Sequence, residues 1–162
     1  MNNADGQTFA HLLLYFREGE ILLEPKRIGA LDIGEKRIGV AISDPMFWTA
    51  QAYGTVDAVD EQKAFEEIQK IIKEKNIFRL VLGLPKNMNN TLGPSAQRVL
   101  TWKERLETIE NLELILQDER LSTVSANRIL MESGVRRENR KHVVDQIAAS
   151  YILQTHLDRG VK

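Results

Sequence analysis

The chain contains no cysteine. That excludes disulfides, zinc–thiolate centres and cysteine nucleophiles, and it suits a reducing compartment. No apolar run approaches the ~20 residues that cross a bilayer as a helix. Lys and Arg are missing from Met1 to Gln7, where a secretory signal would carry its basic segment, so a cytoplasmic location with no membrane partner is expected. An excess of one charge is lacking too, with a net charge of −1. A general nucleic-acid coat protein would present a basic surface; a nuclease with an acidic centre and local basic patches remains compatible. There is no internal repeat and no low-complexity tract.

What is present suits one compact domain: 162 residues, 43% of them hydrophobic and 28% charged, enough for a buried core under a solvated surface. Residues 1–26 read as an N-terminal extension, and residues 27–162 as the domain. In the extension, apolar runs at His11–Phe16 and Ile21–Leu23 flank Arg17-Glu18-Gly19-Glu20, a pattern that fits a hairpin or, equally, a short helix. From there the order reads β-β-β-α-β-α-β-α-α. Ile28–Ile33 and Arg37–Ser43 are strands joined by Gly34-Glu35-Lys36, Gln51–Val56 is a third strand, and Asp60–Lys75 is an amphipathic helix. Phe78–Leu84 and Leu112–Leu116 read as buried strands. Helices start at Pro94 and at Ser122, and a basic linker from Arg136 to His142 leads to a last helix with Val144, Ala148, Tyr151, Ile152 and Thr155 on one face. A three-strand antiparallel meander followed by parallel strands predicts an α/β fold, a mixed five-stranded sheet with helices on both faces.

Three acidic positions stand out. Asp32 lies inside an apolar strand, where a carboxylate must be paired or serve a purpose; capping the following turn is its ordinary alternative. Asp118 and Glu119 follow a buried strand, at the end where α/β sheets place their sites, although a solvated loop with an Arg120 ion pair would look the same. Asp145 lies among apolar helix residues, with a first-turn acid as its plain reading. Together they meet a chemical need, because two hard divalent cations ~3.5–4 Å apart require several carboxylate oxygens. Lys86, Asn87, Asn89 and Thr91 form a donor-rich loop suited to phosphate and sugar contacts. Arg136, Arg137, Arg140 and Lys141 form a cluster that is either a solvated run or a backbone track. Trp102 reads as packing and Trp48 as a loop residue.

Four segments carry a resemblance. Leu31-Asp32-Ile33-Gly34 with Arg37–Asp44, Val81–Asn89, Asp118–Val124 and Val144–Ala149 resemble, in order, the four motifs of the YqgF-type, Holliday-junction-resolvase-like family of pre-16S rRNA nucleases, over about residues 27–159. The resemblance implies a ribonuclease-H-like fold, with Asp32, an acid of the Asp118–Glu119 pair and Asp145 binding Mg²⁺ or Mn²⁺. It also implies pre-rRNA as substrate, ribosomal particles as a partner, and a monomer or homodimer. Three positions depart from the pattern: Glu35 and Asn90 where small residues or glycine are usual, and His142 in an otherwise basic stretch. True Holliday-junction resolvases are less similar, since they carry an acid near Gly83, where this chain is apolar. The third carboxylate would then come from the next strand, and Glu119 has the longer reach.

Other functions share parts of the pattern. Branched DNA could replace RNA with the chemistry unchanged. The Asp32-x-Gly34 hairpin is also similar to the phosphate-binding hairpin of sugar kinases and actin-like ATPases, which need a second domain that this chain has no length for. A catalytically silent RNA-binding module would not need all three carboxylates.

Overall fold

Runs of apolar residues separated by three-residue turns return on themselves as antiparallel strands, whereas runs separated by a helix return in parallel. A computed structural model of the chain shows both connections in one sheet. It describes residues 16–17, 20–21, 25–87, 89–118 and 140–160, with 16–17, 20–21 and 140–145 as backbone alone. Strand β1 (Phe16–Arg17) pairs antiparallel with β2 (Glu20–Ile21), so the extension takes its hairpin alternative. The main sheet comprises β3 (Arg27–Ile33), β4 (Arg37–Ser43), β5 (Ala50–Asp57), β6 (Ile77–Leu84) and β7 (Glu113–Asp118), in the order β5-β4-β3-β6-β7. β3, β4 and β5 form the antiparallel meander, while β6 runs parallel to both β3 and β7. The β4–β5 ladder is bulged: Val40 faces Gly54 and Ala41 faces Ala52, which leaves Tyr53 as the extra residue.

Helices α1 (Glu61–Glu74) and α2 (Pro94–Leu106) cover one face. Asp60 caps α1, its carboxylate accepting from the amides of Gln62 and Lys63 at 3.1 Å, and Ala64, Ile68, Ile71 and Ile72 fall on the buried side. Asn76 then takes a left-handed φ of 49°, which stops the helix. Pro94 opens α2, where a missing amide hydrogen costs nothing; Ala96, Val99, Trp102 and Leu106 are buried. Trp102, 2% exposed, sits among the largest side chains of this layer, each worth about 1.5–3 kcal/mol of burial.

Helix α3 (Arg140–Asp158) covers the opposite face. Two expectations need correction here. Arg140, Lys141 and His142 belong to the helix rather than to a linker, and Arg and Lys are good helix formers. The packed side is also rotated: Ala148, Ala149, Ile152, Leu153 and Leu157 are buried, while Tyr151 and Thr155 are half-buried, because the small Ala148–Ala149 pair lets the helix approach the sheet. The helix expected after Ser122 lies outside the described residues. Among the described residues no helix is long and apolar enough to cross a membrane.

Where α3 meets the start of β6 and β7, the core contains charge. Arg79 is buried, and its Nε donates to Glu113 Oε2 at 2.7 Å. Nearby, His156 has a buried Nε2 with no hydrogen-bond partner among the described residues. Burial pushes its pKa below the ordinary 6.5, and the positive charge of Arg79 pushes the same way. Between that depressed value and 6.5 the unfolded chain binds the additional proton, so stability rises with pH through this window and levels off above it. Denaturant titrations from pH 5 to 7.5 should show that rise in the wild type. It should be smaller in His156→Leu, whose difference from the wild type isolates this group from the other histidines.

Candidate active site

The carboxyl ends of β3, β6 and β7 lie together at one end of the sheet, since the three strands are mutually parallel. Asp32 is the penultimate residue of β3, the central strand. Side chains alternate along a strand. Leu31 and Ile33 belong to the α1–α2 layer, whereas Ile28 and Ala30 pack under α3. Asp32 therefore shares the α3 face, and it is half-buried there.

Its neighbours on that face lack side chains. Gly39 of β4 is its direct cross-strand partner. On the other side Leu31 pairs with Leu82, so continuing the register by one residue brings Gly83 abreast of Asp32. The row runs on to Thr55 in β5, opposite Gly39, and to Gln117 in β7, opposite Gly83. Two polar contacts tie α3 to the ends of this row. Gln146 Nε2 reaches Thr55 Oγ1 at 3.4 Å, and Gln117 Nε2 donates to the Ile152 carbonyl at 2.8 Å. The two glycines were overlooked as part of the site in the sequence, although a glycine inside a strand signals a close approach.

Asp145 precedes Gln146 and is the sixth residue of the described helix, which has no acid in its first turn. The helix turn that carries it lies over the face and the end of the sheet on which Asp32 stands, since Gln146 reaches Thr55 in the Asp32 row. The described carboxylate of the Asp118–Glu119 pair does not share that face. Leu114 and Leu116 pack into the α1–α2 layer and Ile115 under α3, so alternation puts Asp118 on the face opposite to Asp32. There its Oδ2 lies 4.0 Å from Lys86 Nζ, both side chains about one-third exposed. Glu119, Arg136 and Arg137 lie outside the described residues, as do the side chains of Arg140, Lys141 and Asp145. Among the described residues no three His, Asp or Glu side chains are grouped to hold a metal ion.

Asn87 and Asn89 build the loop after β6. Asn87 Nδ2 donates to Thr91 Oγ1 at 2.9 Å, and Asn89 Oδ1 accepts from the Thr91 amide at 3.1 Å. Asn90 takes a left-handed φ of 63°, a conformation natural to glycine and tolerated by asparagine, so its departure from the family pattern keeps the turn. Asp44, in the first motif, has a structural job at the other end of the sheet. Its carboxylate accepts from the amides of Met46, Trp48 and Thr49 at 2.7–2.9 Å and closes the β4–β5 turn.

A family model described as RuvX, Holliday junction resolvase, matches residues 26–159. The chain belongs to the RuvX family. A protein of Clostridioides difficile (strain 630) named "Putative pre-16S rRNA nuclease" is 48% identical over 132 residues, covering 82% of this chain and 94% of its own. One of the same name from Staphylococcus saprophyticus is 48% identical over 140 residues, covering 85% and 98%. Among solved structures, the fowlpox virus resolvase in complex with Holliday junction DNA superposes with a TM-score of 0.54 at 11% identity, covering 84% of this chain and 99% of that one. Thermus thermophilus RuvC with a Holliday junction substrate gives 0.50 at 10% identity, covering 83% and 96%. The RuvX chain thus has the ribonuclease-H-like fold that the resemblance of its four motifs implies.

Gly34 admits a close approach of the backbone. Its amide donates to the Arg37 carbonyl at 2.9 Å, and a Cβ at this position would lie 2.6 Å from the same oxygen. Gly34→Ala should therefore open the turn that ends the Asp32 strand and lower stability by about 1–3 kcal/mol. Urea titration checks this, and an unchanged midpoint would show that the turn yields freely.

Proposed function

We propose that this RuvX-family chain is a metal-dependent endonuclease that hydrolyses phosphodiester bonds in structured RNA and processes the 5′ end of pre-16S rRNA in the cytoplasm, alone or on ribosomal particles. One observation supports it most: a half-buried carboxylate, Asp32, on the central strand, with glycine on both neighbouring strands and the Asp145 helix over the same face. The names of the curated relatives, 44–48% identical, favour RNA. Branched DNA is the alternative, and the structures that share only the fold suggest it.

Asp32, Glu119 and Asp145 are the proposed ligands of Mg²⁺ or Mn²⁺. The set fits, because carboxylate oxygens suit hard cations and Gly39 and Gly83 put no side chain beside Asp32. Bound there, the cations would supply Lewis-acid stabilisation of the charge that develops on the phosphodiester and would lower the pKa of water. The protein's share is positioning. The β3–β4 turn fixes the end of the Asp32 strand, and the flanking glycines let a phosphate approach the sheet. Lys86 acts as a point charge for phosphate beside the Asn87–Thr91 turn, and Arg136, Arg137, Arg140 and Lys141 follow the backbone before Asp145. Asp118, on the far face and near Lys86, positions that lysine, and Glu119 takes the ligand role.

Asp32→Asn should cut cleavage of a precursor rRNA fragment by roughly 10²–10³-fold, several kcal/mol of transition-state stabilisation, with melting unchanged. The same assay on a four-way DNA junction, with Mg²⁺ and then Mn²⁺, separates the two substrates. Cleavage at the wild-type rate in the variant sinks the assignment.

The paired acids give a second test. Glu119→Gln should lose activity at unchanged stability, while Asp118→Asn keeps measurable cleavage with a raised KM. The reverse pattern would transfer the ligand role to Asp118.

A further inference from the structure

At the end of the sheet opposite Asp32, positive charge gathers from two separate stretches of chain. Lys26 and Arg27 lead into β3, and Lys73 and Lys75 end α1. The two pairs are joined through the backbone, because the Arg27 amide donates to the Asn76 carbonyl at 3.0 Å. Two clefts open on either side of this junction. One, of about 190 Å³, is lined by Arg27, Lys75, Tyr53 and Gln51. The other, of about 490 Å³, is lined by Lys26, Lys73, Asn76 and Phe78. Each of the two consecutive residues Lys26 and Arg27 thus serves a different cleft, and so do Lys73 and Lys75.

Aromatic rings sit among these cations. Lys75 Nζ lies 5.5 Å from the centre of the Tyr53 ring, and Lys26 Nζ 5.9 Å from that of Phe78. Tyr53 is 46% exposed, and it is the bulged residue of β5, where a bulge re-aims a side chain. Nearby acids are engaged elsewhere: Glu74 pairs with Lys70, Glu113 with Arg79, and Asp44 with backbone amides. Glu110 lines the larger cleft. A net charge of −1 for the whole chain makes this local excess a feature of placement rather than of composition. Two lysines at a helix C-terminus also stabilise the helix dipole, but that role accounts neither for Lys26 and Arg27 nor for the rings and clefts.

We propose that this pole is a docking surface for the RNA backbone, on which Lys26, Arg27, Lys73 and Lys75 contact phosphates outside the segment being cut. Basic residues interleaved with aromatic rings suit a phosphodiester chain with accessible bases. The proposal rests on the RNA-nuclease reading above and extends it. Arg27 and Asp32 are five residues apart along β3, about 17 Å at ~3.3 Å per residue, so a substrate that touches both ends must span several nucleotides. The protein then selects for length and shape, not for the scissile bond alone.

Binding of a precursor rRNA fragment, measured by filter retention in EDTA so that no strand is cut, tests this apart from the chemistry. Lys73→Gln/Lys75→Gln should weaken binding by about ten- to fiftyfold near 0.1 M salt and reduce the slope of log K against log[salt] by about 1.4–1.8, the effect of two lost phosphate contacts. Lys73→Arg/Lys75→Arg should keep both values. Lys73→Gln alone, at an exposed position, should give half the change in slope with unaltered melting, which separates lost contacts from a weakened helix. Wild-type affinity and slope in the double glutamine variant would overturn the docking surface. If that variant still cleaves RNA while Asp32→Asn does not, the nuclease reading survives the loss. A wild-type protein that binds no RNA in this assay would overturn the docking surface, whose contacts need no metal, and leaves the nuclease reading to the cleavage assay with Mg²⁺ or Mn²⁺.

Discussion

A carboxylate on the central strand of a sheet covered on both faces has little access to water, and desolvating an ion costs several kcal/mol unless something replaces its hydration. Asp32 is in that position, and much of the surrounding arrangement serves it. β4 and β6 hold β3 from both sides, yet each offers a glycine beside the acid, so neither neighbouring strand sets a side chain directly against the carboxylate. The turn after β3 closes on the Gly34 amide and the Arg37 carbonyl, which pins the strand end. α3 lies across the same face, anchored by Gln146 and Gln117 at the two ends of the row that contains Asp32.

The two ends of the sheet divide the work. At the carboxyl ends of the parallel strands are Asp32, the helix bearing Asp145, and the Lys86–Asp118 pair. At the amino ends, the Asp44 turn, the Arg79–Glu113 pair and the basic clefts meet the start of the chain's main sheet. Alternation makes a second division, through the sheet. Asp118 and Asp32 stand at the same end of the sheet but on different faces, so adjacency to an acidic motif in sequence does not bring every acid into one site.

Much of this was legible in the sequence. Largely apolar runs such as Phe78–Leu84 announce buried strands, and Asp60 and Pro94 mark helix starts, because these signals depend on neighbours within a few residues. The antiparallel meander, the parallel strands after it and the place of Asp32 on a strand followed from the same local patterns and from the four motifs. What escaped depends on distant pairing. Gly39 and Gly83 acquire meaning only when registers set them on either side of Asp32, and Lys26, Arg27, Lys73 and Lys75 form no cluster until β3 and α1 come together. The inward side of α3 was read in part: Ala148 and Ile152 pack inward as expected, but Ala149, Leu153 and Leu157 join them in place of Tyr151 and Thr155. Arg140–His142 looked like a linker because charge alone does not separate a solvated helix turn from a loop.

The bulge at Tyr53 has a consequence for how copies of the chain meet one another. β5 is the outermost strand beside β4, and an outer strand is a template on which another polypeptide can pair. Here the regular ladder is broken into Ala50–Ala52, three residues, and Gly54–Asp57, four. A straight incoming strand could match only one of these short stretches at a time, and the added twist would carry the other out of reach. The residue that sets an aromatic ring at the smaller basic cleft therefore also blunts the sheet against growth by edge-to-edge aggregation.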